Sequence, residues 1–125
     1  MRTRIQRAIE AAGFDDFRLA HQNVFAWLPS EGVRMSELAR RAQLSKQTMT
    51  ELVGYLEAHG YVERLRDPTD GRAWIIRRTS RGDAVDRVAQ QALLDTQREW
   101  ASMLGEHDFE VLVNLLRRLL PLSET

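Results

Sequence analysis

Residues 34–82 contain two short amphipathic helical patterns and two β-prone runs, in a fixed order. In chain order these segments are Met35–Ala42, the turn Gln43–Ser45, Lys46–His59, and the strands Tyr61–Arg66 and Ala73–Thr79. The tip between the strands is rich in turn-forming residues, so the strands are expected to form a hairpin, here called the wing. Two helices around a tight turn, followed by such a hairpin, predict a winged helix-turn-helix.

Helical periodicity flanks this segment on both sides. The predicted flanking helices are Thr3–Ala12, Asp15–Leu28, a long helix from Ser80 to Leu104, and a last helix that begins at Asp108. Side-chain oxygens that can accept from free backbone amides are expected to cap the helices. The predicted caps are Ser36, Ser45, Ser80 with Asp83, and Asp108. The predicted fold class is therefore mainly α with a small β wing (α+β).

The net charge is zero, but the charges are unevenly distributed. Residues 34–82 carry ten basic and six acidic side chains, whereas residues 83–125 carry four basic and eight acidic ones. A basic central segment favours contact with a polyanion such as nucleic acid. Charges that only keep a surface solvated would give a similar pattern, and this simpler interpretation stays open.

The composition argues against several classes of function. The chain has no cysteine, which excludes disulfides, thiolate metal sites and cysteine-based redox sensing. The sequence shows no signal peptide and no apolar run of the roughly 20 residues that a membrane span needs. We therefore expect a cytoplasmic protein without membrane contact. We find no phosphate-binding loop, nucleophile elbow or metal-ligand spacing, and predict no enzyme, no catalytic residue, no metal and no cofactor.

The first turn of the second motif helix carries side chains that suit base recognition. Gln47 can pair with an adenine edge, and Glu51 can accept from a cytosine amine. Lys46 and the helix N-terminal amides favour phosphate. The predicted DNA-binding residues are Arg34, Ser36, Ser45, Lys46, Gln47, Thr48, Thr50, Glu51, Arg64, Arg66, Asp70 and Arg72. A plain amphipathic helix with solvated polar residues is the alternative interpretation.

The tip of the wing places one arginine where it can reach a narrow groove. Arg72 follows the turn residues Asp70 and Gly71, and a long cation at a tip suits the negative potential of a narrow minor groove. Asp70 is expected to hold this guanidinium by a bidentate pair. The alternative is a surface salt bridge worth under about 1 kcal/mol.

The long helix carries two apolar stripes that one small domain cannot cover. They are Val85, Val88, Ala89, Ala92 and Leu93 near its start, and Trp100, Ala101, Met103 and Leu104 near its end. Exposed apolar surface of this kind usually marks an interface with a partner, most often in a two-fold homodimer. A monomeric helical bundle is the alternative.

Several short motifs occur in order along the chain. They are Ser36–Ala39, Leu44–Met49, Leu52–Val53, Leu56–Glu57, Gly60–Arg64, Asp67–Ala73 and Thr79–Gly82. Together they resemble the MarR family, over about residues 14–104. The resemblance implies a bacterial transcriptional regulator, expected to be a repressor, which binds palindromic, inverted-repeat operators as a homodimer. Many members release DNA when a small, often aromatic, effector binds.

The resemblance also implies an organisation for the whole chain. We expect a single MarR-like domain over residues 1–125, with a DNA-binding lobe at 14–82 and dimerisation helices at 1–13 and 83–125. The expected effector pocket includes Phe17, His21 and Phe25. A buried histidine with one hydrogen bond is the simpler interpretation of His21. A winged helix that binds proteins and not DNA is the alternative function.

The chain departs from the family pattern at Gln43, at Glu51, where an arginine is frequent, at Arg78, and in a shorter N-terminal dimer helix. Two of these departures have consequences for local structure. Gln43 stands where the turn usually has glycine, which predicts a left-handed glutamine at a cost of roughly 1 kcal/mol. Arg78 replaces a leucine before Thr79, which predicts a less buried strand end.

Overall fold

Helices dominate residues 3–119, the part of the chain that the computed structural model describes. In chain order the elements are α1 (Arg4–Ala11), α2 (Leu19–Ala26), β1 (Val33–Arg34), α3 (Met35–Ala42), α4 (Lys46–Ala58), β2 (Val62–Asp67), β3 (Asp70–Arg78), α5 (Ser80–Leu104) and α6 (Glu106–Leu119). The predicted fold class, mainly α with a small β wing, is confirmed. Among residues 3–119, no helix combines the length and apolarity that a membrane span requires.

The strands form one antiparallel sheet in the order β1-β3-β2. Ile76 of the central strand pairs with Val33 on one side and with Arg64 on the other. The register of the wing shifts between Arg66 and Asp67, where the hairpin approaches its tip. Strand β1 was not predicted, because two residues are too few to show an alternating pattern. It joins the start of α3 to the wing.

The turn between α3 and α4 has the predicted left-handed glutamine. Gln43 adopts φ 57° and ψ 41°, and its amide donates to the Arg40 carbonyl oxygen at 3.1 Å. Ser45 then caps α4, as predicted: its hydroxyl oxygen accepts from the Thr48 amide at 3.0 Å. The turn therefore fixes the direction in which the first residues of α4 leave α3.

The starts of α2 and α3 differ from the prediction. α2 begins at Leu19 and not at Asp15, because Arg18 is extended and its amide donates to Nδ1 of His21 at 2.8 Å. The predicted cap Ser36 lies inside α3. The N-cap is Arg34, since β1 holds its backbone extended and the helix begins directly after the strand.

The predicted caps of the last two helices also lie inside them. Thr79, not Ser80, precedes α5, and its hydroxyl oxygen accepts from the Gly82 amide at 3.1 Å. Asp108 lies in the first turn of α6. Gly105 separates α5 from α6 with a φ of 88°, a value that suits glycine and ends a helix sharply.

Two compact units divide the chain between Gln90 and Gln91. In the first unit, α4 fully buries Met49, Val53 and Leu56, as its periodicity predicts. The other large side chains without appreciable exposure are Ile9, Phe17, Val24, Leu38, Tyr61, Ile76 and Val85. The side of α4 opposite this core therefore faces outward.

The end of β3 is more buried than its arginine suggested. The Arg78 side chain is only 12% exposed, so the predicted loss of burial is wrong. Its Nη1 donates to the Leu28 carbonyl oxygen at 2.7 Å, and its Nε donates to Asp83 at 2.9 Å. An arginine can be buried in this way because its stem is apolar and its charged end is paired.

The second unit contains the end of α5 and all of α6, which has no buried residue. Its large exposed apolar side chains are Leu93, Leu94, Trp100, Met103, Leu104, Val111, Leu112, Leu115, Leu116 and Leu119. A groove of about 310 Å³ lies among Trp100, Phe109, Leu112 and Leu116 in this unit. Apolar surface of this extent usually marks an interface.

Candidate functional site

The first turns of α4 present a continuous polar surface, here called the polar turn (residues 45–51). All of its side chains except Met49 are exposed. Its hydroxyl groups bond within the helix: Ser45 donates to Thr48 at 2.9 Å, and Thr50 donates to the Lys46 carbonyl oxygen at 2.8 Å. These bonds fix the side-chain rotamers while leaving acceptor lone pairs on the oxygens.

Gln47 differs from its neighbours in the polar turn. Its side-chain amide makes no hydrogen bond with any residue in the described range 3–119. The amide therefore has two donors and one acceptor oxygen available to an outside partner. This combination matches the donor and acceptor pair on an adenine edge.

A basic groove of about 470 Å³ lies between the starts of α3 and α4 and the wing. Its lining residues are Arg34, Met35, Ser36, Lys46, Thr50, Arg64, Asp70, Arg72, Ala73 and Trp74. The structure thus brings together seven of the predicted DNA-binding residues. The others lie outside the lining of this groove: Ser45, Gln47, Thr48 and Glu51 on the polar turn, and Arg66 on β2.

The tip of the wing presents Arg72 without the predicted bidentate pair. The side chain of Arg72 is 98% exposed, and its Nε approaches Asp70 only to 4.0 Å. Oδ1 of Asp70 instead accepts from the Arg72 backbone amide at 3.1 Å. A carboxylate that bonds two residues ahead stabilises a tight turn, which explains why Asp70 orders the backbone and leaves the guanidinium exposed.

The base of the wing is held by a buried carboxylate. Oδ1 of Asp67 accepts from the amide and the hydroxyl of Thr69, both at 2.8 Å, and Oδ2 accepts from Nε of Arg34 at 2.6 Å. The Thr69 donors and the charge of Arg34 hold the pKa of Asp67 below its ordinary value. The sequence analysis predicted only a turn at this position and not these hydrogen bonds. The Asp-Pro-Thr spacing is the local signal that could have indicated them, because an aspartate often accepts hydrogen bonds from the residue two positions ahead.

The remaining arginines of the wing have neighbours within the first unit. Nε of Arg64 donates to Glu57 at 2.9 Å, and Nη2 of Arg77 donates to Glu63 at 2.7 Å. Arg66 donates to the Gly71 carbonyl oxygen at 2.6 Å. Among the described wing residues, Arg72 therefore carries the guanidinium that is most available to a partner.

The predicted effector residues lie in the core of the first unit. Phe17 and Phe25 make an edge-on contact at 4.9 Å between ring centroids, and both are almost fully buried. His21 stacks on Tyr55 at 4.4 Å. Burial lowers the pKa of His21, and the nearby positive groups lower it further. The contacts of His21 fit a core histidine, and the effector pocket stays a prediction.

A polar cluster near these residues was not predicted. The Tyr61 hydroxyl donates to Asp16, and Nη2 of Arg81 donates to the same hydroxyl oxygen at 2.9 Å. Burial and the Asp16 carboxylate raise the pKa of Tyr61. Burial alone would raise the pKa of Asp16, but the Tyr61 hydrogen bond and the Arg81 charge outweigh it and lower that pKa. No local pattern announces the cluster, because its members are far apart in the chain.

No group of three or more histidine, cysteine, aspartate or glutamate residues within positions 3–119 is arranged to hold a metal ion.

The model of the MarR family matches residues 23–73. This segment contains α3, α4 and most of the wing, and with them all of the predicted DNA-binding residues. Over this segment the chain is similar to the MarR family. MarR-family regulators are non-enzymatic, which agrees with the prediction that the chain is not an enzyme.

Two relatives of this chain are named as transcriptional regulators. A protein of Thauera aromatica named as a transcriptional regulatory protein for the hcr operon is 28% identical over 89 residues, which cover 70% of this chain. The chain spans only about half of that relative's length, 53%. The transcriptional activatory protein BadR of Rhodopseudomonas palustris is 26% identical over 119 residues, 94% of this chain and 67% of BadR.

Two solved structures share the fold of this chain. FabT of Streptococcus pneumoniae, solved in complex with DNA, has a TM-score of 0.75 at 21% identity, covering 94% of this chain and 87% of FabT. PcaV of Streptomyces coelicolor, solved with its natural ligand, has a TM-score of 0.65 at 22% identity, covering 95% of this chain and 85% of PcaV. At these identities the likeness concerns the fold.

Replacing Asp67 by asparagine is expected to destabilise the wing in a pH-dependent manner. A carboxylate with a lowered pKa stabilises the folded state above its unfolded pKa, about 3.8, and this contribution disappears as the pH falls through the lower folded value. The difference in free energy of unfolding between wild type and Asp67→Asn should therefore be large near neutral pH and shrink in acid. Urea unfolding from about pH 7 to about pH 3 measures it. Thr69→Val, which removes one donor to Asp67, should show a smaller effect, and a pH-independent difference would contradict the assignment.

Proposed function

We propose that this protein regulates transcription by binding double-stranded DNA through the polar turn and the basic groove. The N-terminal part of α4 enters the major groove, where Gln47 and Glu51 meet base edges. Arg72 enters the adjacent minor groove, and Arg34 and Lys46 contact phosphates. Ser36, Ser45, Thr48 and Thr50 supply shorter polar contacts to the backbone or the bases.

One observation carries this proposal: the polar turn, with the free amide of Gln47, and the basic groove, with the 98% exposed guanidinium of Arg72, share Lys46 and Thr50 in the first unit. Positive charge and base-reading groups are thus presented together. The DNA complex of FabT supports the same use of the fold, since its overall structure is similar.

We further propose that the protein acts as a homodimer on an inverted repeat. The exposed apolar side chains of α6 and the end of α5 support this, because burying them requires a partner, and a two-fold pair of identical surfaces is the usual solution. Two copies of α4 would then be spaced about one DNA turn apart, roughly 34 Å.

We also propose that a small aromatic effector controls DNA binding and that the protein represses transcription. The ligand complex of PcaV supports a small effector, for which we retain an aromatic molecule and the residues Phe17, His21 and Phe25. Because these side chains are buried, the effector must bind a state in which they have separated, and it acts only if it prefers that state. Repression stays our prediction. BadR is named as an activator, so a promoter–reporter assay with and without the protein decides the direction.

Selection of bound duplexes from a random pool tests the function most directly. An inverted repeat with half-sites about 10 base pairs apart would support both DNA binding and the dimer. A salt titration of the selected duplex should show affinity falling as salt rises, since phosphate contacts release counterions. A protein that binds no duplex even in dilute buffer would instead be the winged-helix protein-interaction module.

Replacing Arg72 by alanine is expected to weaken duplex binding by about 10-fold or more at moderate salt, because each protomer loses a minor-groove cation. The slope of log affinity against log salt should also fall by about 0.9 for each lost contact. Fluorescence anisotropy at matched salt measures both quantities. The free energy of unfolding should stay unchanged, since Arg72 is exposed. Unchanged affinity would remove Arg72 from the interface.

Replacing Gln47 by alanine is expected to reduce discrimination between the selected duplex and variants of one base pair by about 1–3 kcal/mol. The loss should be confined to one position in each half-site, where a bidentate pair with adenine is broken. Competition binding with a set of single-base variants measures it. If all duplexes lose affinity equally, Gln47 positions the protein and does not read a base.

A further inference from the structure

Arg66 lies at the end of β2, and its guanidinium is engaged within the wing. Its Cζ lies 4.0 Å from the ring centroid of Trp74, and its Nη1 donates to the Gly71 carbonyl oxygen at 2.6 Å. Trp74 is the cross-strand partner of Arg66 in the hairpin. One side chain thus connects β2, β3 and the backbone of the tip.

We propose that Arg66 is a positioning residue that holds the tip of the wing through Trp74 and Gly71, so that Arg72 points at DNA. This inference rests on the proposed DNA-binding function. It assigns to Arg66 a role different from the direct DNA contact that the sequence predicted. It also gives a role to Trp74, which was not among the predicted site residues.

The tip needs such a support because its own contacts are few. Gly71 has open space around it, and glycine restrains the backbone less than any other residue. Arg72 is 98% exposed, so its direction depends on the backbone to which it is attached. Asp67 holds the start of the tip through Thr69 and through its pairing with Asp70. Next to Arg72 itself, the backbone is held by the bond from the Arg72 amide to Asp70 and by the bond from Arg66 to the Gly71 carbonyl oxygen. Ordering the tip before binding avoids part of the entropy cost of ordering it on DNA.

The guanidinium of Arg66 and the indole ring of Trp74 are suited to holding the tip. An arginine guanidinium stacks on an indole face and can donate a hydrogen bond at its edge at the same time, because the group is planar. Arg66 makes both contacts, whereas Arg64 lies 5.9 Å from the same ring and donates to Glu57.

Combining substitutions at Arg66 and Arg72 distinguishes a positioning role of Arg66 from a direct contact between Arg66 and DNA. Arg66→Ala and Trp74→Leu should each weaken duplex binding by about 3- to 10-fold, and Trp74→Phe by less, since phenylalanine keeps a smaller aromatic face. In an Arg72→Ala background, Arg66→Ala should cause no further loss. If Arg66 itself contacts a phosphate, the slope of log affinity against log salt should fall by about a further 0.9 in the double variant, compared with Arg72→Ala alone. That result would show the proposal to be wrong.

Hydrogen exchange of the free protein tests the positioning without DNA. Amides of residues 66–74 should exchange faster in Arg66→Ala and Trp74→Leu than in the wild type. Arg77→Ala is the matched control, because it removes an arginine of the same hairpin, on β3, that pairs with Glu63. It should leave this exchange unchanged. Unchanged exchange in Arg66→Ala overturns the inference even if the protein binds DNA. Absence of duplex binding by the wild type overturns the proposed function, while the exchange result still reports on Arg66.

Discussion

Replacing Gly82 by alanine is expected to reduce the free energy of unfolding by about 2–4 kcal/mol. Gly82 lies in the first turn of α5, and an added Cβ would come within 3.0 Å of the Tyr61 carbonyl oxygen and to 3.2 Å of Cβ of Arg78. Alanine favours helix by about 1 kcal/mol over glycine, but this gain cannot offset a collision with backbone. The start of α5 must therefore shift, which disturbs the bond from the Thr79 amide to Tyr61.

The same substitution in α4 provides the control for Gly82. An added Cβ at Gly54 would meet nothing within 4 Å, so Gly54→Ala should raise the free energy of unfolding by roughly 0.5–1 kcal/mol. Urea unfolding followed by circular dichroism measures both variants. Equal stability of Gly82→Ala and the wild type would show that α5 moves at little cost.

Replacing Leu116 by glutamate is expected to convert the proposed dimer to monomer. Leu116 lines the apolar groove of the second unit and is 45% exposed. Burying a carboxylate in an apolar interface without a partner raises the dissociation constant by about 100-fold or more. Sedimentation velocity at micromolar concentration measures the change. Duplex affinity should fall as well, because a monomer contacts only one half-site.

Asn114 offers the control on the same helix. It is an exposed polar residue, and helical spacing places it on the side of α6 opposite Leu112 and Leu116. Asn114→Lys should leave the mass in solution unchanged. If Leu116→Glu also leaves the mass of a dimer unchanged, the interface lies elsewhere, and a monomeric wild type would overturn the dimer proposal itself.

The order of the helices and the wing could be predicted because the signals for it are local. α4 ends at Ala58, only one residue before the predicted end. The prediction was this accurate because the signals for both ends, the cap Ser45 and the left-handed Gly60, lie within a few residues of the helix. The polar and apolar sides of α4 follow in turn from a period of 3.6 residues. The candidate site was therefore predictable as a set of exposed residues on α4 and the wing.

The internal contacts of the site could not be predicted, because they depend on register and on distant segments. Arg34 and Asp67 are 33 positions apart, and Asp16 and Tyr61 are 45 apart. Arg66 meets Trp74 only because of the hairpin register, which shifts at the next residue. The predicted pair of Asp70 and Arg72 failed for a local reason: the carboxylate satisfies a backbone amide first.

The ion pairs of the first unit also bear on how the protein would find its site in a genome. Seven of the ten basic side chains in residues 34–82 have a carboxylate oxygen at 3.4 Å or less. Charge that is neutralised internally adds little to the attraction between a protein and arbitrary DNA. We therefore expect short residence on non-cognate DNA and little sliding, so that target search proceeds mainly by repeated dissociation and rebinding.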